Sequence, residues 1–470
     1  MRYPIFGIGL QGKSPNVTSQ SRVNLYLDVQ PQEDKTQTSL HARPGLSLFK
    51  DLGAEPVRGM LVVGSLMYVV HKSSFYEINN AGQETSRGTL NTSSGRVTMV
   101  KNNAGVIAIQ DGTNGYFYTI SSTTFATVTD ADHIDTAVTV AYHDSFFFYP
   151  SPDSGKFFIS TADATSVSNM MSALDFATAE KSPDNLLRVF DNSTEVLMLG
   201  EESIELWTNT GAADFPYERV VGGVMELGLE ALYSVARFAE SSVCMLAANR
   251  EQGQVKVIKI EGFRYVTIST PELESIINGY TTSNATALSY VHEGHPFYQI
   301  NFPTDNKSWL YDGLTSIWSE VSYGSAGARH RGEISINFLG KSYVSDYENG
   351  KIYQQIAGLM TDNDVPFARE VQSRHIFDEK YVQLARLWVD MENGTGTATG
   401  QGSDPQLMLT ISKDGGHSFG SERTASMGKI GEYKERCVYR RLGRSYTWTF
   451  RLRVTDPAKT VFVGAWVNAI

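Results

Sequence analysis

Apolar positions in this chain fall into short alternating runs joined by polar or glycine-rich turns, and the same two-run unit recurs seven times. The units are residues 66–70 with 75–78, 106–109 with 117–120, 146–149 with 157–159, 196–199 with 204–207, 243–246 with 255–258, 297–300 with 309–311, and 343–344 with 352–353. Their second runs are rich in aromatic and β-branched residues, which suit a pleated, half-buried surface. Taken at positions 75, 117, 157, 204, 256, 309 and 352, these runs step by 42, 40, 47, 52, 53 and 43 residues. Strand-only repeats of that period predict the blades of a β-propeller, six or seven of them, over residues 46–363.

Residues 1–45 read as an N-terminal arm with one strand-like run, 23–29, before the turn at Arg43-Pro44-Gly45. An open blade edge invites aggregation, so this run is expected to close the ring. Helix is scarce. Thr270 as N-cap, Pro271 in the first turn and Gly279 as a stop predict one short helix, and residues 220–233 are expected to hold a second. From 364 the rhythm changes to longer alternating strands and Gly-rich loops such as 393–403. In the clearest strand, Tyr446, Trp448, Phe450, Leu452 and Val454 share one face and Thr447, Thr449, Arg451 and Arg453 the other. A C-terminal β-sandwich over residues 364–470 follows, giving an all-β chain of two domains after the arm.

Composition agrees with a turn-rich β protein: charged residues make up 19% and aromatics 11% of 470 residues. A formal net charge of −11 argues against holding nucleic acid by bulk phosphate attraction. The two cysteines, Cys244 and Cys437, lie in apolar runs as small buried hydrophobes and build neither a disulfide framework nor a metal cage. The N-terminus lacks a signal-peptide pattern and no apolar run approaches the ~20 residues that span a bilayer, so the expectation is a chain made in a reducing cytoplasm with no membrane insertion.

Candidate chemistry is sparse. Gly7-Ile-Gly9-Leu-Gln-Gly12 spells the dinucleotide fingerprint, but only six residues precede it and Pro15 follows, so it lacks the strand and helix that the mechanism needs. His292 and His295, three apart in an extended segment, are expected on opposite sides and hence not as a zinc pair. Ser412-Lys-Asp414-Gly-Gly416-His-Ser418-Phe419 is close to the Asp-box hairpin of sialidase-type propellers, with Asp414 accepting N–H bonds across the turn. No sequence feature pairs two carboxylates for glycosidase chemistry. Catalytic residues, cofactor and metal ligands are therefore expected to be absent. Arg436, Arg440, Arg441 and Arg444 make a locally basic stretch in an acidic chain and are the candidate partner interface, facing an acidic protein surface or a DNA backbone.

Several segments carry a resemblance: 203–218 with the Gly-rich stretch to 228, 307–320, Arg43-Pro-Gly-Leu46, the short helix near 270–280, 413–420, 436–444 and 450–454. In order and over most of the chain these are similar to the packaged-DNA stabilisation proteins, or tail hubs, of short-tailed phages of the P22 type; the first forty residues match poorly. The resemblance implies a non-enzymatic virion component assembled in the bacterial host cytoplasm. It implies a ring, six copies in the known type, below the portal and its adaptor, which continues the DNA channel, retains packaged DNA and carries the needle or tailspikes. The alternative of a different class is a glycan-binding or glycan-cleaving propeller, motivated by the Asp-box and the many aromatic residues.

Overall fold

A computed structural model describes residues 9–10, 19–29, 38–179, 184–239, 241–249 and 253–469. Of the glycine-rich segment 7–12, only Gly9 and Leu10 lie within the described residues. Seven four-stranded antiparallel units follow one another along the chain. They comprise strands 57–63, 66–71, 74–78 and 84–89; 98–101, 106–110, 115–119 and 124–127; 141–143, 146–150, 156–160 and 171–178; 186–191, 196–200, 204–209 and 217–225; 236–238, 242–249, 254–261 and 264–267; 286–292, 295–302, 307–312 and 317–320; and 332–338, 341–346, 349–356 and 45–54. Neighbouring units pack side by side, and the first strand of the seventh packs on the first strand of the first. The ring is a seven-bladed propeller whose first strands surround the axis.

Each repeat in the sequence is the middle pair of a blade. Those strands are covered on both faces; Val106–Gln110, for instance, is buried throughout. The outermost strand faces water, and Glu84–Thr89 has no buried residue. The helix Pro271–Ile277 forms with Thr270 as N-cap, its side chain accepting from the Leu273 N–H. Residues 220–233, expected to be helical, instead finish strand Tyr217–Met225 and add the short strand Gly228–Leu229.

Ring closure differs from the expectation. The strand that completes the seventh blade is Gly45–Ala54, paired antiparallel with Asn349–Ile356. The run 23–29 is divided at Asn24, which has a left-handed φ of 57°. Ser21–Val23 bridges the edge strand Ile317–Glu320 of the sixth blade to Arg369–Gln372. Leu25–Val29 forms a hairpin with Thr38–Ala42, which joins Val461–Ala469 of the C-terminal sheet. Leu25, Leu27 and Leu40 are buried in the same core as Leu387, Phe462 and Trp448. The N-terminal segment is thus part of the sandwich, because its apolar face finds a deeper seat there than at a blade edge.

The sandwich layers share one long strand, Cys437–Val454. Its first half pairs with Ile376–Met391, which also pairs with Val461–Ala469. Its second half pairs with Arg369–Gln372 and Gln406–Ser412. A strand that turns a corner between sheets breaks its register, and here a break falls between residues 445 and 447, opposite 378–381. Trp448, Phe450, Leu452 and Val454 point inward as expected, but Tyr446 is 44% exposed and packs at a tilt against Tyr381 instead.

Propeller and sandwich meet at a buried ion pair. Arg43 and Asp362 are each 1% exposed and 2.6 Å apart. All five guanidinium N–H groups are engaged: Nε donates to Asn24 Oδ1, Nη1 to the Pro44 carbonyl and Asp362, and Nη2 to the Ser322 carbonyl and Asp362. The Phe367 ring lies 3.9 Å from the guanidinium carbon. Gly45 follows because a Cβ there would come within 2.3 Å of the Leu359 carbonyl oxygen.

A second cluster at this joint is titratable. Residues 292 and 295 are direct partners across a two-residue turn, Glu293 and Gly294 both having positive φ, so the histidines share a face rather than opposing one another. Tyr26 packs edge-on against both rings and donates to Glu293 at 2.7 Å. His295 is held by Asp312 at 2.9 Å. Among the described residues no group of three or more His, Cys, Asp or Glu side chains is arranged to hold a metal ion.

Burial, ahead of any charge effect, holds His41, His292 and His330 below the ordinary imidazole value. The unfolded chain therefore takes up protons below about pH 6.5 that the folded chain refuses, and stability is lost as pH falls through that value. Burial raises Asp362 and Glu370, which pull the other way at lower pH. The expected result is a Tm lower at about pH 5.5 than at about pH 7.5 by calorimetry, with a shallower drop in a His41→Gln, His292→Gln variant. An unchanged slope in that variant would place the acid sensitivity elsewhere.

Candidate partner interface

The outward face of the sheet formed by 376–391, 437–445 and 461–469 is set by register. Leu384, Leu387 and Val389 point into the core, so their neighbours Gln383, Arg386 and Trp388 point out. Across the ladder Gln383 faces Arg444, Arg386 faces Arg440, and Trp388 faces Val438 on one side and Trp466 on the other. The two tryptophan rings stack with centroids 4.7 Å apart. The Arg436 guanidinium carbon lies 5.1 Å from the Trp388 centroid, and that of Arg444 lies 5.2 Å from Tyr381.

All four candidate arginines are exposed. Arg436, Arg440 and Arg444 fall on or beside this face. Arg441 does not continue the row: with Leu442 it opposes the single residue Ala385, a bulge marked by a φ of 56° at Arg441. Arg423 braces the bulge by donating to the carbonyls of Arg440 and Arg441. Arg386, Trp388 and Trp466 complete the face and were not singled out in the sequence. Their signal was the alternation 383, 386, 388 in a strand, but only pairing places it beside 436–444.

Among the described residues none of Arg386, Arg436, Arg440, Arg441 or Arg444 has a carboxylate within ion-pair distance. Arg451 and Arg453, further along the same strand, share Glu370, and Arg451 also bonds Gln372. Arg386 directly opposite Arg440 is a like-charge cross-strand pair, which destabilises a sheet unless an anion comes between. Planar guanidiniums flanked by half-buried tryptophans are equipped to grip carboxylates or phosphates bidentately while the rings exclude water.

The Asp-box-like turn lies in the sandwich, not in a blade. Asp414 accepts from Ser412 Oγ at 2.6 Å, the Ser418 N–H at 2.9 Å and Ser418 Oγ. These bonds hold its carboxyl far below the usual range. Gly415 and Gly416 take φ of 77° and 87°. The arrangement fastens a hairpin.

A family model described as the β-propeller of bacteriophage P22 Gp10 matches residues 1–356, and one described as its β-sandwich matches 368–469. No curated protein matches the chain. Among solved structures, virginiamycin B lyase from Staphylococcus aureus is 10% identical, covering 66% of this chain and 98% of its own, with a TM-score of 0.45. The WD40 domain of Toxoplasma gondii coronin is 9% identical, covering 71% and 86%, with a TM-score of 0.39. Likenesses this distant say nothing about activity. A propeller joined to a sandwich defines, with those two matches, a structural protein of the phage virion. The chain belongs to the bacteriophage P22 Gp10 family, the tail hub and packaged-DNA stabilisation proteins. No helix among the described residues is long and apolar enough to cross a membrane.

Proposed function

We propose that this chain is the subunit of a ring, six copies by analogy with the family, that docks below the portal and its adaptor, continues the DNA channel and retains packaged DNA. The carrying observation is that both family matches occur in order over residues 1–356 and 368–469. On this reading the chain is non-enzymatic, is assembled in the host cytoplasm and carries the needle or tailspikes at the far end of the ring. The face of Arg436, Arg440 and Arg444 with Arg386 suits docking to an acidic neighbour, because among the described residues its charge has no carboxylate partner. The acidic total, −11, suits a conduit to which DNA should not adhere.

The test is negative-stain imaging of purified subunit mixed with its portal and adaptor. A ring seated on that stack is expected. A monomer that ignores the stack but binds host polysaccharide, or releases sugar from it, would overturn the proposal in favour of a glycan-active propeller.

A further inference from the structure

The propeller axis is not an inert seam. One end of it, where the first strands of the blades finish, opens into a cavity of about 380 Å³ whose walls come from five successive blades. A second lobe of about 520 Å³ reaches the sixth and seventh blades and shares Arg237 with the first. Leu61, Val140 and Phe190 give the first lobe an apolar side. Three cations, Lys101 of the second blade, Arg188 of the fourth and Arg237 of the fifth, line it together with a single carboxylate, Asp191.

That carboxylate is already taken. Asp191 holds Arg237 at 2.7 Å, and the same guanidinium also donates to Ser193. Among the described residues Lys101 donates to the Asn102 carbonyl alone, at 2.8 Å, and Arg188 to the Leu232 carbonyl alone, at 2.8 Å, with the Phe190 ring 5.4 Å away. Among the described residues neither has a carboxylate partner. Deeper along the axis Arg96 sits 5.0 Å from the Tyr233 ring and 3.5 Å from Glu333. Burial pushes Arg188 down to about 10, and the charge of Arg96 adds to the shift. A guanidinium at that value is still cationic at neutral pH, so Lys101 and Arg188 bring charge to a half-apolar cavity with no carboxylate of their own among the described residues.

We propose that the axial cavity binds an acidic peptide segment of another polypeptide, its carboxylates on Lys101 and Arg188 and an apolar or aromatic side chain against Leu61, Val140 and Phe190. The cations stand on separate blades instead of converging on one point, which suits several carboxylates along a chain more than one inorganic phosphate. A nucleic-acid strand would meet a subunit of net charge −11 and leave the apolar wall with less to match. The inference goes beyond the ring reading: a subunit that never joins a tail still has this cavity.

The experiment is fluorescence anisotropy on the full chain with a dye-labelled Glu-Glu-Phe-Glu-Glu-Leu peptide as probe. Saturable binding in the range of roughly ten to a hundred micromolar is expected, weakened at least about tenfold in a Lys101→Gln, Arg188→Gln variant. A peptide with Gln for every Glu should not bind, and a thymidine oligonucleotide should not displace the probe. If the double variant does not fold, Lys101→Glu alone serves and should weaken binding by at least the same factor. Lack of saturable binding, equal binding by a folded variant, or displacement by the oligonucleotide would each overturn the proposal.

Discussion

Arg43→Ala is expected to destabilise the full chain by about 3–5 kcal/mol in denaturant unfolding, the largest single-residue effect we anticipate. The substitution removes five donors at once and leaves the Asp362 carboxylate buried without the guanidinium that holds both its oxygens. Burial already raises that carboxyl against the pull of the guanidinium, so without Arg43 it must protonate or draw in water. The carbonyls of Pro44 and Ser322 lose this donor as well, and Asn24 Oδ1 keeps the Ser322 N–H but loses Arg43. Because those groups belong to the N-terminal segment, the sixth blade's edge and the link to the sandwich, the damage should appear as loss of joint unfolding of the two domains. An Arg43→Met, Asp362→Leu variant should recover part of the loss, since apolar replacement of both partners removes the unpaired charge. A single variant within about 1 kcal/mol of wild type would show that the joint is held by packing alone.

Replacing Arg436, Arg440, Arg441 and Arg444 together with glutamate should leave the subunit folded yet unable to keep its place in a tail. The four side chains are exposed and among the described residues carry no ion pair, so their loss from the monomer is close to neutral. In an interface the same groups are desolvated, and truncating one partner of a buried charge pair there typically costs roughly 2–5 kcal/mol. Even the lower figure, applied once, weakens the affinity about thirtyfold. Particles assembled with the variant should package DNA and then lose it, which quantitative staining of purified particles would measure. Wild-type occupancy and DNA retention would reduce the face to a solvated surface. Because Arg441 lies in the bulge, reverting it alone should restore less than reverting Arg440.

What could be read in advance followed burial. The middle strands of the blades are covered on both sides, so they appear in the sequence as uninterrupted apolar runs such as residues 106–109. The strand 45–54 is half exposed, and its role depends on a partner some 300 residues away. Nothing local marks it, whereas 23–29 has the apolar look of a core strand and turns out to serve the sandwich core. The arginines of 436–444 were visible as a cluster, but the face they belong to was not. Arg386 and the Trp388–Trp466 stack join it through cross-strand pairing, and the bulge that removes Arg441 from the row is a matter of register.

The placement of Gly45–Ala54 also bears on how the chain is born. Its partner Asn349–Ile356 emerges from the ribosome about 300 residues later, which at 5–20 residues per second is a wait of roughly 15–60 s. Throughout that interval six blades can form, but the ring is an open arc with an unpaired strand at one end. Two nascent chains on one message present the same arc to each other, so the last blade is where exchange of strands between subunits competes with closure. Slow translation or a truncated message would favour the exchange, and the product would be tangled oligomers of blades in place of a soluble subunit.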